Sequence, residues 1–311
     1  MMQSLSVAMM KRMQAQGSNP EYQKTVARVF ADPQIQAFLN QHQAELTPES
    51  VQRDYSKLYE FFHENQLIQQ NQASIAPGYQ PRLLINAGQI DVAYVPSAEL
   101  RAEQRAKELR DRVTMISMPK WSPEANFDGF YTDAQQGSPS RNLALEEALK
   151  FCMNYSVDNF QPGLYLSGSF GVGKTYLLGA TANELAKRNV KTTILHLPSF
   201  VVKMRQAIQS HTLNEERDRV SQAPVLMIDD IGADVMTAWA RDDLLAVILE
   251  YRMQAELPTF FSSNMTMNEL EQHLAEDNKD NVEPLKAKRI MQRIQYLSRE
   301  IDVQGNNLRM S

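Results

Sequence analysis

Eight consecutive residues, Gly168-Ser169-Phe170-Gly171-Val172-Gly173-Lys174-Thr175, fit G-x-x-x-x-G-K-[ST] in full. That spacing suits a loop wrapped around a chain of phosphates. Its glycines let the main chain turn tightly and bring N–H groups against phosphate oxygens with no Cβ in the way. Lys174 supplies a movable ammonium for the β- and γ-phosphates, and the Thr175 hydroxyl is a ligand for Mg²⁺. Two more polar landmarks offer related chemistry. Val225-Leu226-Met227-Ile228 has the pattern of a buried strand and ends in Asp229-Asp230. Asp229 is then placed to hold Mg²⁺, directly or through water, and Asp230 to polarise an attacking water. A second run, Pro258 to Ser263, ends at Asn264, which is suited to sensing the γ-phosphate or orienting that water. An acidic pair can also cap a helix or a turn, and so can Asn264. The phosphate loop upstream and Ile231-Gly232 downstream favour ATP-Mg²⁺ binding and hydrolysis by positioning and charge neutralisation.

Such a site needs a strand before the loop and a helix after it. Leu164-Tyr165-Leu166 reads as the strand, and Leu178, Ala182 and Leu185 recur at helical spacing behind the loop. The N-terminus of that helix adds partial positive charge where phosphates sit. Arg141 to Asn154, Phe200 to Gln209 and Ala240 to Gln254 read as helices, and Thr192 to Leu197 as a strand. Strands alternating with helices predict an α/β fold, a parallel sheet flanked by helices that collects ligands at its carboxyl edge. The phosphate loop, Asp229/Asp230 and Asn264 all fall at such strand ends. The reading requires Lys174 and the acidic pair to meet across neighbouring parallel strands.

The first third of the chain has a different pattern. Val26, Val29 and Phe30, then Ile35, Phe38 and Leu39, then Tyr55, Leu58, Tyr59 and Phe62, place apolar groups on helical faces between Pro20 and Asn65. Thr47 ahead of Pro48 is a helix start. This predicts a small helical domain whose aromatic surface is either core or a protein-binding face. Gln66 to Gln80 reads as loop, and Leu83–Ile85 with Ile90–Val95 as a β-hairpin. The mixed charges from Glu99 to Arg112 suit a solvated connecting helix. We therefore expect an N-terminal domain over 1–106, a linker leading into the ATPase core over 107–140, and the ATPase domain over 141–311. Met1 to Met13 is Met-rich and reads as a frayed or partner-docking helix.

A net charge of −5 excludes a chain that is basic throughout, so contact with DNA must use a local patch. Lys286, Lys288, Arg289, Arg293 and Arg299 form one, with Ile290, Ile294 and Leu297 as its apolar stripe. It is a solvated face, a nucleic-acid contact, or the source of an arginine that reaches a neighbouring subunit's nucleotide. The single cysteine, Cys152, excludes a disulfide framework and a multi-cysteine zinc site. The five histidines show no ligand spacing. No run approaches 18 apolar residues, so a soluble, cytoplasmic protein without membrane contact is expected.

Gly163 to Thr175, Val225 to Gly232, Pro258 to Asn264 and Lys286 to Leu297 together resemble the AAA+ replicative helicase loaders, more closely the DnaI type than DnaC. The resemblance is close over Leu143 to Arg309 and looser before it, at Pro33–Leu39 and Leu58–Phe62. It implies an AAA+ domain that binds ATP-Mg²⁺ and single-stranded DNA, with an N-terminal domain that grips a hexameric DnaB-type helicase. Other primosome proteins, nucleotide-dependent self-association and a weak, regulated ATPase activity belong to the same implication. By position, Asn264 matches the sensor-one residue, Arg293 the arginine finger and Arg309 the sensor-two arginine. One departure stands out. Relatives often carry a zinc-binding cysteine cluster where this chain has Gln66 to Pro96, and this stretch has no cysteine, so no zinc is expected. An IstB-type transposase helper and a small-molecule kinase are the alternatives that share the phosphate loop.

Overall fold

Two compact units make up the chain, Met1–Arg105 and Ala106–Ser311. The computed structural model describes residues 11, 20–118, 123–131, 138–276 and 282–307. The Met-rich start expected to dock or fray lies almost wholly outside them.

Local chemistry sets the helix boundaries of the first unit. α1 (Pro20–Ala31) buries Val26, Val29 and Phe30. α2 (Pro33–Gln41) begins where the Asp32 carboxylate accepts the Gln34 and Ile35 N–H groups, ahead of a proline that has no N–H to satisfy. α3 (Pro48–Arg53) starts at Thr47, which forms a reciprocal capping box with Ser50. α4 (Tyr55–Gln69) sends Leu58 and Phe61 into the same core. The hairpin pairs β1 (Tyr79–Asn86) with β2 (Gln89–Pro96) through Ala87-Gly88, both at positive φ as a tight hairpin turn demands. The expected loop is therefore shorter, since helix runs on to Gln69 and strand begins at Tyr79. Leu83 and Ile90 close the core from the hairpin side. The Asp54 carboxylate joins the two halves, accepting the Arg53 guanidinium and, at 2.9 Å, the Ile90 N–H. α5 (Ala98–Asp111) buries no side chain, as its charge pattern predicts.

The second unit contains β3 (Val113–Ile116), α6 (Phe127–Tyr131), α7 (Pro139–Asn154), β4 (Gly163–Ser167), α8 (Lys174–Lys187), β5 (Thr192–His196), α9 (Leu197–Gln209), α10 (Leu213–Ser221) and β6 (Val225–Asp229). A π-helical stretch, Trp239–Leu245, then leads into α11 (Ala246–Gln254), followed by β7 (Thr259–Ser262), α12 (Met267–Ala275), α13 (Pro284–Leu297) and β8 (Ser298–Asp302). The six strands form one parallel sheet in the order β3-β5-β6-β7-β4-β8. Alternation along the strands feeds both faces. Leu226, Ile228, Tyr165 and Phe261 pack with α11, α12 and α13, while Val225, Met227, Leu164 and Phe260 pack with α7 and α8. Among the described residues no helix is long and apolar enough to cross a membrane.

Four expectations need correction. The stretch 107–140 is more than a linker, because β3 pairs with β5 as the edge strand of the sheet and α6 lies against α8. Arg299 leaves the basic helix, because the helix stops at Leu297 and Arg299 sits on β8, paired with Glu147. The helix expected from Ala240 opens as a π-helical stretch. Finally, β4 and β6 are not adjacent: β7 lies between them and places Asn264 between the phosphate loop and the acidic pair.

Candidate functional site

The phosphate loop leaves β4 and turns into α8. Gly171 (φ +81°) and Gly173 (φ +101°) adopt left-handed backbone that side chains rarely accept. A Cβ at Gly171 would also fall 1.9 Å from Asn307 Oδ1, so that side chain would have to move aside. Val172 is buried as the loop's anchor, and Phe170 projects outward, 67% exposed. Lys174 opens α8 and is buried. Its ammonium donates to Gly168 O (2.6 Å), Ser169 O (2.8 Å) and Asn264 Oδ1 (2.9 Å). The lysine is thus aimed back over its own loop and toward the end of β7.

Thr175 Oγ1 donates to Asp229 Oδ1 at 2.9 Å, and Ser262 Oγ donates to the same oxygen. Burial pushes the Asp229 carboxyl above its ordinary pKa. The two hydroxyl donors oppose that shift, the neighbouring Asp230 adds to it, and His196 opposes it. Asp230 sits at φ +64°, a left-handed conformation that is uncommon for non-glycine residues though more accessible to Asp, and its N–H donates to Ser262 Oγ at 3.0 Å. Its carboxylate receives Asn264 Nδ2 at 3.4 Å on one oxygen, and His196 Nε2 stands 3.6 Å from the other. His196 is itself fixed through Nδ1 by Ser199 Oγ at 2.9 Å.

These groups line one cavity of about 570 Å³ at the carboxyl edge of the sheet. Gly168 to Thr175, Asp229, Asp230 and Asn264 are brought together as the strand-end rule requires, and polar bonds run from Lys174 through Asn264 to Asp230. Arg293 is elsewhere. It lies on α13, donates to Ala246 O at 2.9 Å, pairs with Glu250, and lines a second cavity with Asp242 and Trp239. Arg309 lies outside the described residues. Sequence reasoning missed His196, Ser262, Phe130, Arg141 and Tyr176, all of which line the cleft. The first two end strands β5 and β7, and the rule that picked out Asp229 would have found them.

Among the described residues no three His, Cys, Asp or Glu side chains gather into an all-protein metal cage. Mg²⁺ needs none, because it is held by one or two carboxylate or hydroxyl oxygens together with substrate phosphates and water. Thr175 and Asp229, converging beside the phosphate loop, are a donor set of that kind.

Known proteins match both units. Residues 2–94 fit the family described as the primosomal protein DnaI N-terminus, and residues 125–279 fit the bacterial DnaA ATPase domain. The replicative helicase loader DnaI of Bacillus subtilis (strain 168) is 32% identical over 308 residues, covering 96% of this chain and 98% of the relative. The chain belongs to the DnaI family of replicative helicase loaders. Among solved structures, a crystal structure of DnaI is 40% identical with a TM-score of 0.55 and covers 65% of this chain and 99% of its own. A candidate primosome component from Streptococcus pyogenes serotype M3 is 38% identical with a TM-score of 0.53, covering 66% of this chain and 98% of its own. The second unit of this DnaI-family chain is an AAA+ ATPase fold with the capacity for ATP hydrolysis. The match of its first unit to the DnaI N-terminus favours a loader over a transposase helper or a kinase.

Proposed function

We propose that this protein loads a hexameric DnaB-type replicative helicase onto single-stranded DNA during replication initiation or restart, under the control of ATP-Mg²⁺. The observation that carries this reading is relatedness to a helicase loader over 96% of the chain, joined to a polar-wired phosphate cleft in the second unit. The N-terminal domain, 1–106, grips the helicase, and the AAA+ domain reads nucleotide and DNA and contacts other primosome proteins. The protein acts in the cytoplasm.

Lys174 and the loop N–H groups hold the β- and γ-phosphates. Thr175 and Asp229 hold Mg²⁺, which when bound neutralises charge on the phosphate oxygens. Asp230 orients the attacking water and accepts its proton. Asn264, bonded to both Lys174 and Asp230, reports the γ-phosphate to the water-positioning carboxylate. Arg293 acts on the nucleotide of a second copy as the arginine finger, exchanging its pairing with Glu250 for the phosphate of the neighbour. Arg309 contributes from the C-terminal tail. Hydrolysis is slow in the isolated chain and set by helicase and single-stranded DNA.

Gel filtration with a hexameric replicative helicase tests the reading. A complex should form with the full chain and vanish when residues 1–106 are deleted. Failure of the full chain to associate at micromolar concentration, with or without ATP-Mg²⁺, would overturn it.

A further inference from the structure

One residue of the cleft takes no part in the chemistry assigned to the others. His196 ends β5, and the parallel register sets it beside Asp229 at the end of β6. The chain passes directly from it into α9, and its ring is the helix N-cap. Nδ1 accepts the Ser199 N–H at 3.4 Å and lies 2.9 Å from Ser199 Oγ. A main-chain N–H can only donate, so Nδ1 is the accepting nitrogen, and in the neutral ring the proton belongs to Nε2. That nitrogen faces Asp230, 3.6 Å from Oδ2. A movement of about half an ångström would close the gap to a hydrogen bond.

The other carboxylate oxygen of Asp230 depends on groups that a nucleotide would recruit. Oδ1 receives Asn264 Nδ2 at 3.4 Å, and Asn264 Oδ1 in turn receives the Lys174 ammonium at 2.9 Å. A γ-phosphate in the loop draws the ammonium to itself and accepts from the Asn264 amide. Oδ1 then loses its donor, and it is the oxygen that an attacking water would use. A carboxylate acts on a water in a fixed direction when its second oxygen is held. The Asp230 main chain is already fixed by its bond to Ser262 Oγ, but the carboxylate can still turn. His196 can supply the missing hold. It stands on a different strand from Lys174 and Asn264, and Ser199 braces it independently of both.

We propose that His196 is a positioning residue for ATP hydrolysis, its Nε2–H anchoring Asp230 Oδ2 so that Oδ1 is left to the attacking water. This rests on the reading of Asp230 as the water-orienting carboxylate and deepens it. Anchoring and capping are separable duties of the one ring. Asn and Ser are favoured N-caps that can accept the Ser199 N–H yet are too short to reach Asp230. Gln is not a favoured cap, but its amide N–H₂ reaches about as far as Nε2 does.

Steady-state phosphate release from ATP-Mg²⁺, with helicase and single-stranded DNA present, tests the assignment. His196→Asn and His196→Ser should keep KM within about twofold of wild type and lose about tenfold in kcat, the size of one hydrogen bond to a charged group. His196→Gln should recover most of that loss, although its cap is the poorer one. Thermal melting of each variant verifies the fold, with Asn and Ser expected close to wild type. The proposal is overturned if the folded Asn and Ser variants turn over at the wild-type rate, or if folded His196→Gln falls with them. It is equally overturned if KM rises while kcat holds, which would give His196 to nucleotide binding. Asp230→Asn in the same assay separates this assignment from the reading beneath it. Near-complete loss there, beside wild-type turnover in His196→Asn, removes the positioning role alone. Wild-type turnover in Asp230→Asn, or no hydrolysis by wild type, removes the water-orienting reading and the role of His196 with it.

Discussion

Asp54 in the first unit and Asp229 in the second are both nearly out of solvent, yet their surroundings pull their acidities in opposite directions. Asp54 sits against the Arg53 guanidinium, whose hydrogen bond is the main reason its carboxyl is held below the ordinary range, with Ile90 N–H adding to it. Asp229 has hydroxyl donors and a second carboxylate close by, and its burial dominates. The same chemical group is a structural pin in one place and a strained charge in the other. A desolvated carboxylate without a full counter-charge is a mark of functional sites, and on the proposed reading Asp229 serves a cation that arrives with a nucleotide.

The largest effect belongs to the cleft. Lys174→Ala should lower ATP affinity by about 100-fold, read by isothermal titration, with the first unit's unfolding unchanged. Equal affinity in both proteins would mean that the loop does not hold phosphates, and the contrast would lose its functional side.

Next comes Asp54→Ala, which leaves the buried Ile90 N–H without its acceptor. It should destabilise the first unit by about 2 kcal/mol, seen as faster amide exchange along β1 and β2. The pH dependence follows from the lowered pKa. The Asp54 contribution is complete above the ordinary carboxylate range and is lost as pH falls through it toward the depressed folded value. Wild-type hairpin protection should therefore fall toward that of the variant in acid, and a gap that does not narrow as pH falls below the ordinary carboxylate range would contradict the pin.

A smaller change of opposite sign is expected at Asp229. Its raised pKa means that ionisation costs stability at neutral pH, and that cost shrinks as pH falls from the raised value and is gone below the ordinary carboxylate range. Asp229→Asn keeps an oxygen to accept from Thr175 and Ser262, so the ligand-free protein should gain about 1 kcal/mol. Arg293→Ala should have the least effect on binding, leaving ATP affinity within about twofold while reducing hydrolysis in assembled protein. A large loss of affinity in the isolated chain would place Arg293 at its own nucleotide, contrary to its pairing with Glu250 on α11.

Much of the cleft was legible because its chemistry sits at strand ends, and buried strands such as Val-Leu-Met-Ile announce themselves by composition. The Thr47 cap and the hairpin alternation were readable for the same local reason. What escaped depends on long-range placement. β8, Ser-Arg-Glu-Ile-Asp, is an edge strand with only Ser298 and Ile301 buried, so it shows neither an apolar run nor strict alternation, and Arg299 was grouped with the helix before it. β3 is four residues long and precedes a proline- and glycine-rich stretch that masked it. That β7 separates β4 from β6 is a property of sheet order, which no local pattern encodes. Arg141 and Tyr176 meet Phe130 from separate helices, so spacing gave no sign of these contacts.

Thermal melting of wild type and Asp229→Asn, each without ligand, with ATP alone and with ATP-Mg²⁺, tests the role of the strained carboxylate most directly. At nucleotide near 100 times its dissociation constant, wild type should rise by about 5–10 °C when Mg²⁺ is added. The variant should start higher and gain almost nothing from the metal. A variant that melts below wild type without ligand, or that gains the same increment from Mg²⁺, would contradict the account.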